Sequence, residues 1–245
     1  YSEGNGQANV PGRRAWHKPD LDYDTDRLVD RSNDRQLLDH MGVPQAFHRR
    51  MWGDSMPDGV LDWVEALPWA QRPSYERQDE RPELFGQSLV LYGPPESGKS
   101  TLAAELLLRL VRMKVRNTDP SLRAHGWHGA MVGRWYDWQI CSEIFREAAH
   151  GEEQSDIATD MEAIMMGGGK GGIHAATWMV VDDLSRERVT EFNIGVLQRI
   201  LRHRHNKGLT TIITTNTPPS LWERNYGEVM ASFMERQSLT VKVVR

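Results

Sequence analysis

The sequence predicts an α/β three-layer sandwich: a five-stranded parallel sheet between helices, with a phosphate-binding loop at one strand's carboxyl end. Three observations predict it. Ser88-Leu-Val-Leu-Tyr92 is an apolar run that breaks into Gly93-Pro94-Pro95-Glu96-Ser97-Gly98-Lys99-Ser100-Thr101, a G-x-x-x-x-G-K-[ST] pattern, and then into a helix. A second apolar run, Trp178-Met-Val-Val, ends in the paired carboxylates Asp182 and Asp183. Between and after these, runs of strand length alternate with segments of helical spacing.

The first 40 residues are rich in Asp, Arg, Asn and Gly and cannot bury a core alone, so they read as a flexible arm ahead of a core spanning 41–245. Within the arm, Arg27 to His40 can form one helix anchored by Leu28, Leu37 and Leu38, suited to docking on a partner; a merely solvated leader fits equally well. The first residue is Tyr1 rather than Met, as expected if a segment lies upstream. Gly42-Val-Pro44-Gln-Ala-Phe47 leads into a helical stretch at 60–67, and Pro68, Pro73 and Pro82 punctuate a polar connector to the first strand.

Lys99 to Arg116 reads as a helix with Leu102, Ala103, Leu106, Leu107, Leu110 and Val111 inward. A second strand is expected at Ala130–Gly133, with Asp137 capping a helix from about Trp138 to Ala149. Gly151 to Thr177 holds a helical fragment near Ile157–Met166 and then Gly167-Gly-Gly-Lys-Gly-Gly172, which lacks phosphate-loop spacing. That run is either a flexible surface loop or a nucleic-acid or partner loop carrying Lys170. The acid-tipped strand, a helix over 191–205, a strand Thr210–Thr215 closing on Asn216, a helix over 227–236 and a last strand over 239–244 complete the chain.

The chemistry follows from residue types. Backbone N–H groups of Gly93 to Thr101 cradle nucleotide phosphates, Lys99 reaches the terminal ones, and the Ser100 hydroxyl binds Mg²⁺. Glu96 places a carboxylate beside the anion site and is expected to point outward. On what is expected to be the neighbouring strand, Asp182 would hold Mg²⁺ through water, and Asp183 would orient or deprotonate the attacking water. Asn216 can hydrogen-bond both the γ-phosphate and that water. The expected ligands are ATP and Mg²⁺.

The net charge of −4 argues against a large DNA-binding face, so DNA contact must be local: Arg199, Arg202 and Arg204 with His203 and His205, or the aromatic set Trp135, Tyr136 and Trp138, which otherwise pack in the core. The single cysteine, Cys141, excludes a disulfide framework and a cysteine-based zinc site and suits a reducing cytoplasm. No apolar run approaches the roughly 18 residues of a membrane span.

Gly42-Val-Pro44, Gly93-Pro-Pro-Glu-Ser-Gly-Lys-Ser100, Val180-Val-Asp-Asp-Leu184 and Ile212-Ile-Thr-Thr-Asn216 occur in the order and at about the spacing seen in AAA+ ATPases. The chain from Met41 onward resembles the DnaC/DnaI helicase-loader and IstB transposition-ATPase group of that family. The resemblance implies slow ATP hydrolysis, self-association with ATP, and partners in a DnaB-like replicative helicase and single-stranded DNA, with the arm contacting the helicase. A transposition-targeting ATPase shares every motif. A small-molecule phosphotransferase is disfavoured for want of an arginine-rich lid, and an ATP-binding module without hydrolysis is a further alternative. Arg204 matches an arginine common in these loaders. The family usually has glycine where Glu96 stands and often glutamate where Asp183 stands. The arginine that completes a neighbour's ATP site falls on Phe233, leaving Arg236 or Arg224 as substitutes. After Asn216 the chain has room for one helix and one strand, so no helical lid is expected.

Overall fold

The computed structural model describes residues 34–48, 52, 56–64, 87–117, 132–151, 155–166, 176–184 and 189–244. Five strands form one parallel sheet: β1 (Ser88–Tyr92), β2 (Val132–Asp137), β3 (Ala176–Leu184), β4 (Thr210–Thr215) and β5 (Ser238–Lys242), in the spatial order β2-β3-β4-β1-β5. The helices are α1 (Asp34–His40), α2 (Lys99–Asn117), α3 (Trp138–His150), α4 (Ser155–Met165), α5 (Glu191–Asn206), α6 (Trp222–Tyr226) and α7 (Glu228–Gln237).

The sheet is covered on both faces, so its strands are apolar continuously and successive residues feed opposite cores. Leu89 and Leu91, Trp135, Trp178 and Val180, and Ile212 point to one face. There they meet the six α2 residues expected to face inward, Leu102, Ala103, Leu106, Leu107, Leu110 and Val111. Val90, Tyr136, Met179, Val181 and Ile213 point to the other face, packing with residues of α3, α5, α6 and α7.

One expectation changes. The second strand runs Val132–Asp137 rather than over 130–133. Arg134 and Asp137 interrupt its apolar pattern, which hides the strand from a hydrophobicity reading. Along this edge strand, the Trp135 N–H donates to the Met41 carbonyl at 2.9 Å. Of the helix expected over 27–40, residues 34–40 form α1 and pack on the α2-side core: Leu37 and Leu38 are each 1% exposed there, and Arg112 of α2 pairs with Asp34 at 2.7 Å. Residues 1–33, including Leu28, and the glycine run 167–172 lie outside the described residues.

Asp137 caps α3 as expected, accepting from the Ile140 N–H at 3.3 Å. Among the described residues, every helix belongs to the sandwich or its rim, and none is long and apolar enough to cross a membrane.

Candidate nucleotide-binding site

The loop between β1 and α2 presents backbone N–H groups and a helix N-terminus to one point, the arrangement that binds phosphate. Two of its glycines are required. A Cβ on Gly93 would stand 2.2 Å from the Val243 carbonyl oxygen, and Gly98 sits at φ +90°. Gly93 is tied to β4 by its N–H, which donates to the Thr215 carbonyl at 3.3 Å.

Lys99 is buried, and its Nζ donates to the carbonyls of Gly93 (3.0 Å) and Pro94 (2.6 Å) and to Ser97 Oγ (3.3 Å). Burial lowers its pKa, and the charges of Asp183 and Asp182 partly restore it. Glu96 is exposed, as expected, but it holds φ +64°, a conformation that costs a residue with a side chain about 1–2 kcal/mol.

The acid strand is not the neighbour of β1. β4 lies between them, so the end of β4 faces the phosphate loop on one side and the acids on the other. The β3–β4 register slips between Val181 and Leu184, a bulge that holds both aspartates, with Asp183 at φ +59°. Thr214 of β4 fills the slip: its hydroxyl donates to Asp182 Oδ1 at 2.6 Å and accepts the Asp183 N–H at 2.9 Å. Thr214 was not singled out by sequence reasoning, because its importance depends on strand order.

Asp182 is buried and hydrogen-bonded to Ser100 as well as Thr214. Burial pushes its pKa up to about 6; the two hydroxyls work against that, and the negative charges of Asp183 and Asp137 work with it. A hydroxyl and a carboxylate in contact suit Mg²⁺, which prefers oxygen ligands and usually completes its shell from substrate phosphates and water. Asn216 is exposed at the tip of β4, with Nδ2 3.5 Å from Asp183 Oδ1. Lys99, Ser100, Asp182, Asp183 and Asn216 therefore converge at the carboxyl edge of the sheet.

A cavity of about 470 Å³ opens beside the loop, lined by Phe47, Glu96, Gly98, Lys99, Ser100 and Thr101. Phe47, in a short 3₁₀ turn (Gln45–Phe47) with its ring centroid 5.5 Å from that of Trp135 at a 38° tilt, gives this cavity an aromatic wall. The Gly-Val-Pro stretch just before it was the only sequence signal that this segment bears on the site.

Other expected residues lie elsewhere. Arg236 is exposed in the last turn of α7, and Arg224 is exposed on α6. Because Ser238 pairs with Ser88 and Lys242 with Tyr92, Arg236 stands at the amino edge of the sheet, a strand's length from the loop that follows Tyr92. Phe233 lies between Arg202, at 6.0 Å, and His205, edge-on at 5.8 Å.

Arg204 cannot touch DNA. It is 0% exposed and donates to the carbonyls of Met165, Ala176, Thr177 and Thr210 and to Thr211 Oγ1, at 2.6–3.0 Å. Burial lowers its pKa to about 9. Trp135, Tyr136 and Trp138 are buried in the cores, which removes them as base-stacking candidates. Arg199 pairs with Glu162 at 2.7 Å.

No protein-family model matches the chain, and no curated protein matches it in sequence. Solved structures do match in fold. The DnaC helicase loader aligns with TM-score 0.54 at 15% identity, covering 82% of this chain and 99% of that one. DnaI aligns with TM-score 0.52 at 16% identity, covering 83% and 96%. The replication initiator DnaA bound to AMPPCP and single-stranded DNA aligns with TM-score 0.52 at 10% identity, covering 82% of this chain and 50% of that one. The chain therefore shares the α/β P-loop fold of the DnaC helicase loader and of DnaI.

Proposed function

We propose that this protein is a Mg²⁺-dependent ATP-binding switch that hydrolyses ATP slowly and loads or remodels a DnaB-like replicative helicase on single-stranded DNA. The observation that carries the ATP reading is the convergence of Lys99, Ser100, Asp182, Asp183 and Asn216 across β1, β3 and β4. The loader reading is supported by the likeness in fold to DnaC and DnaI over nearly their whole chains.

In this reading the loop N–H groups and Lys99 bind the phosphates, with Lys99 exchanging loop carbonyls for phosphate oxygens. Ser100, and Asp182 through water, would hold Mg²⁺, which would supply charge neutralisation for the phosphate oxygens. Asp183 accepts the proton of the attacking water, and Asn216, beside it, orients that water against the γ-phosphate. Residues ahead of Asp34 contact the helicase. Arg202, His203 and Lys207, exposed at the end of α5, supply the local DNA contact. ATP-driven self-association brings Arg236 to a neighbour's site, and the protein acts in the cytoplasm.

A second reading, an ATP-binding module that does not cleave, is favoured by one observation: Phe233 stands where the resemblance places the completing arginine. The test compares ATP turnover of wild type and Asp183→Asn, with and without single-stranded DNA, alongside a sizing profile in ATP and helicase pull-down. Turnover that rises on DNA and falls at least about tenfold in the variant, with assembly in ATP and helicase capture, supports the loader. ATP binding with neither turnover nor assembly selects the second reading.

A further inference from the structure

We propose that Trp52 is a positioning residue for phosphate binding, holding the Gly98–Lys99 peptide so that the Lys99 N–H faces the nucleotide. The proposal rests on the nucleotide reading above and adds to it a residue outside the loop motif.

The Gly98 carbonyl accepts two hydrogen bonds, from the Leu102 N–H at 2.9 Å and from the Trp52 indole Nε1–H at 3.1 Å. Both lone pairs of that oxygen are thereby engaged. In a planar trans peptide the N–H points opposite the carbonyl, so fixing the Gly98 carbonyl fixes the direction of the Lys99 N–H. Without such a hold, Gly98 is the freest joint of the loop, since glycine at φ +90° has no Cβ to restrict it. The indole also blocks the space beside it, because a Cβ on Gly98 would meet Trp52 Cζ2 at 3.0 Å.

Trp52 is itself anchored to the helix that the loop begins. Its backbone N–H donates to Glu105 Oε2, and the Glu105 carboxylate is buried and paired with Arg109 at 2.8 Å. Glu105 stands between Leu102 and Arg109 on α2, so Trp52 spans from the helix body back to its first acceptor. Its indole bonds the Gly98 carbonyl, so it acts on phosphate binding through the loop backbone.

The experiment measures Mg·ATP and Mg·ADP affinity by calorimetry for wild type, for Trp52→Phe, and for a protein with benzothienylalanine at position 52, in which sulfur replaces the indole N–H without changing its shape. Thermal midpoints without nucleotide are measured alongside. Loss of one positioning hydrogen bond is expected to weaken ATP and ADP alike by roughly three- to tenfold in both variants. The isostere should retain the wild-type midpoint. Unchanged affinity in the isostere would overturn the proposal, as would weakened affinity that appears only in Trp52→Phe together with a lowered midpoint. If wild type binds neither nucleotide, the underlying reading falls instead.

Discussion

Asp182 is held at odds with its own charge. Its ordinary pKa is 3.8, and burial raises it to about 6, so the folded protein binds this proton more tightly than the unfolded chain does. Stability from this group is therefore fully present below pH 3.8 and is lost as pH rises through 6. Above that, with no Mg²⁺ present, the ionised carboxylate costs roughly 3 kcal/mol. In EDTA, Asp182→Asn should raise the melting temperature at pH 8; the gain should shrink as pH falls through 6 and vanish below about pH 4. The same substitution should abolish Mg²⁺-dependent ATP binding, which calorimetry at pH 8 would register. A gain that persists at low pH would mean that the carboxyl's ionisation is not its source. Glu96 and Asp183 show a related tension in the backbone, each in a left-handed conformation at the rim of the site. Strain of this kind persists where the surroundings fix it. For Asp183 the fixing group is Thr214.

At the scale of elements, Arg204 closes the amino edge as Thr214 closes the carboxyl edge. It joins the end of α4, the starts of β3 and β4, and the last turn of α5 through five hydrogen bonds. Met165 and Ala176 both accept from its Nη1, so one nitrogen holds together the two ends of the glycine-rich connection. Arg204→Met should strand several buried acceptors and cost about 3–5 kcal/mol, near 10 °C in melting temperature for a chain of this size. ATP affinity at the far edge should be unchanged in the protein that remains folded, a pairing of results that melting curves and calorimetry can check.

Arg204 also marks the limit of what was legible beforehand. The phosphate loop and α2 were read correctly because their signal is local: glycine spacing, then six apolar residues at helical period. The aspartate strand and the Thr-Thr-Asn strand were legible for the same reason. Their order in the sheet was not, because nothing in a parallel strand's composition says which strand lies beside it. So Asp182 and Asp183 were set next to β1, Thr214 was passed over, and Arg204 was weighed as a DNA contact. Trp135, Tyr136 and Trp138 misled in the same way, because an aromatic that stacks on bases and one that fills a core look alike in sequence.

At the scale of the whole molecule, the two edges of the sheet hold different members of the proposed site. The phosphate loop lies past Tyr92, while Arg236 lies before Ser238, roughly 15 Å away along a five-residue strand. Arg236 therefore cannot serve its own nucleotide. Arg236→Ala should leave ATP affinity in dilute protein unchanged yet remove the rise in turnover per subunit with protein concentration, a loss of about tenfold or more where assembly is complete. Turnover measured across a concentration series decides it.

The segment after β5 bears on how such experiments are built. Val243 donates its N–H to the Tyr92 carbonyl at 2.8 Å and lays its own carbonyl against Gly93. The chain at Val243 therefore lies beside the mouth of the phosphate loop. A polyhistidine tag following this segment would bring metal-chelating imidazoles within reach of the proposed Mg²⁺ site, and a fluorescent fusion would crowd the proposed entrance for ATP.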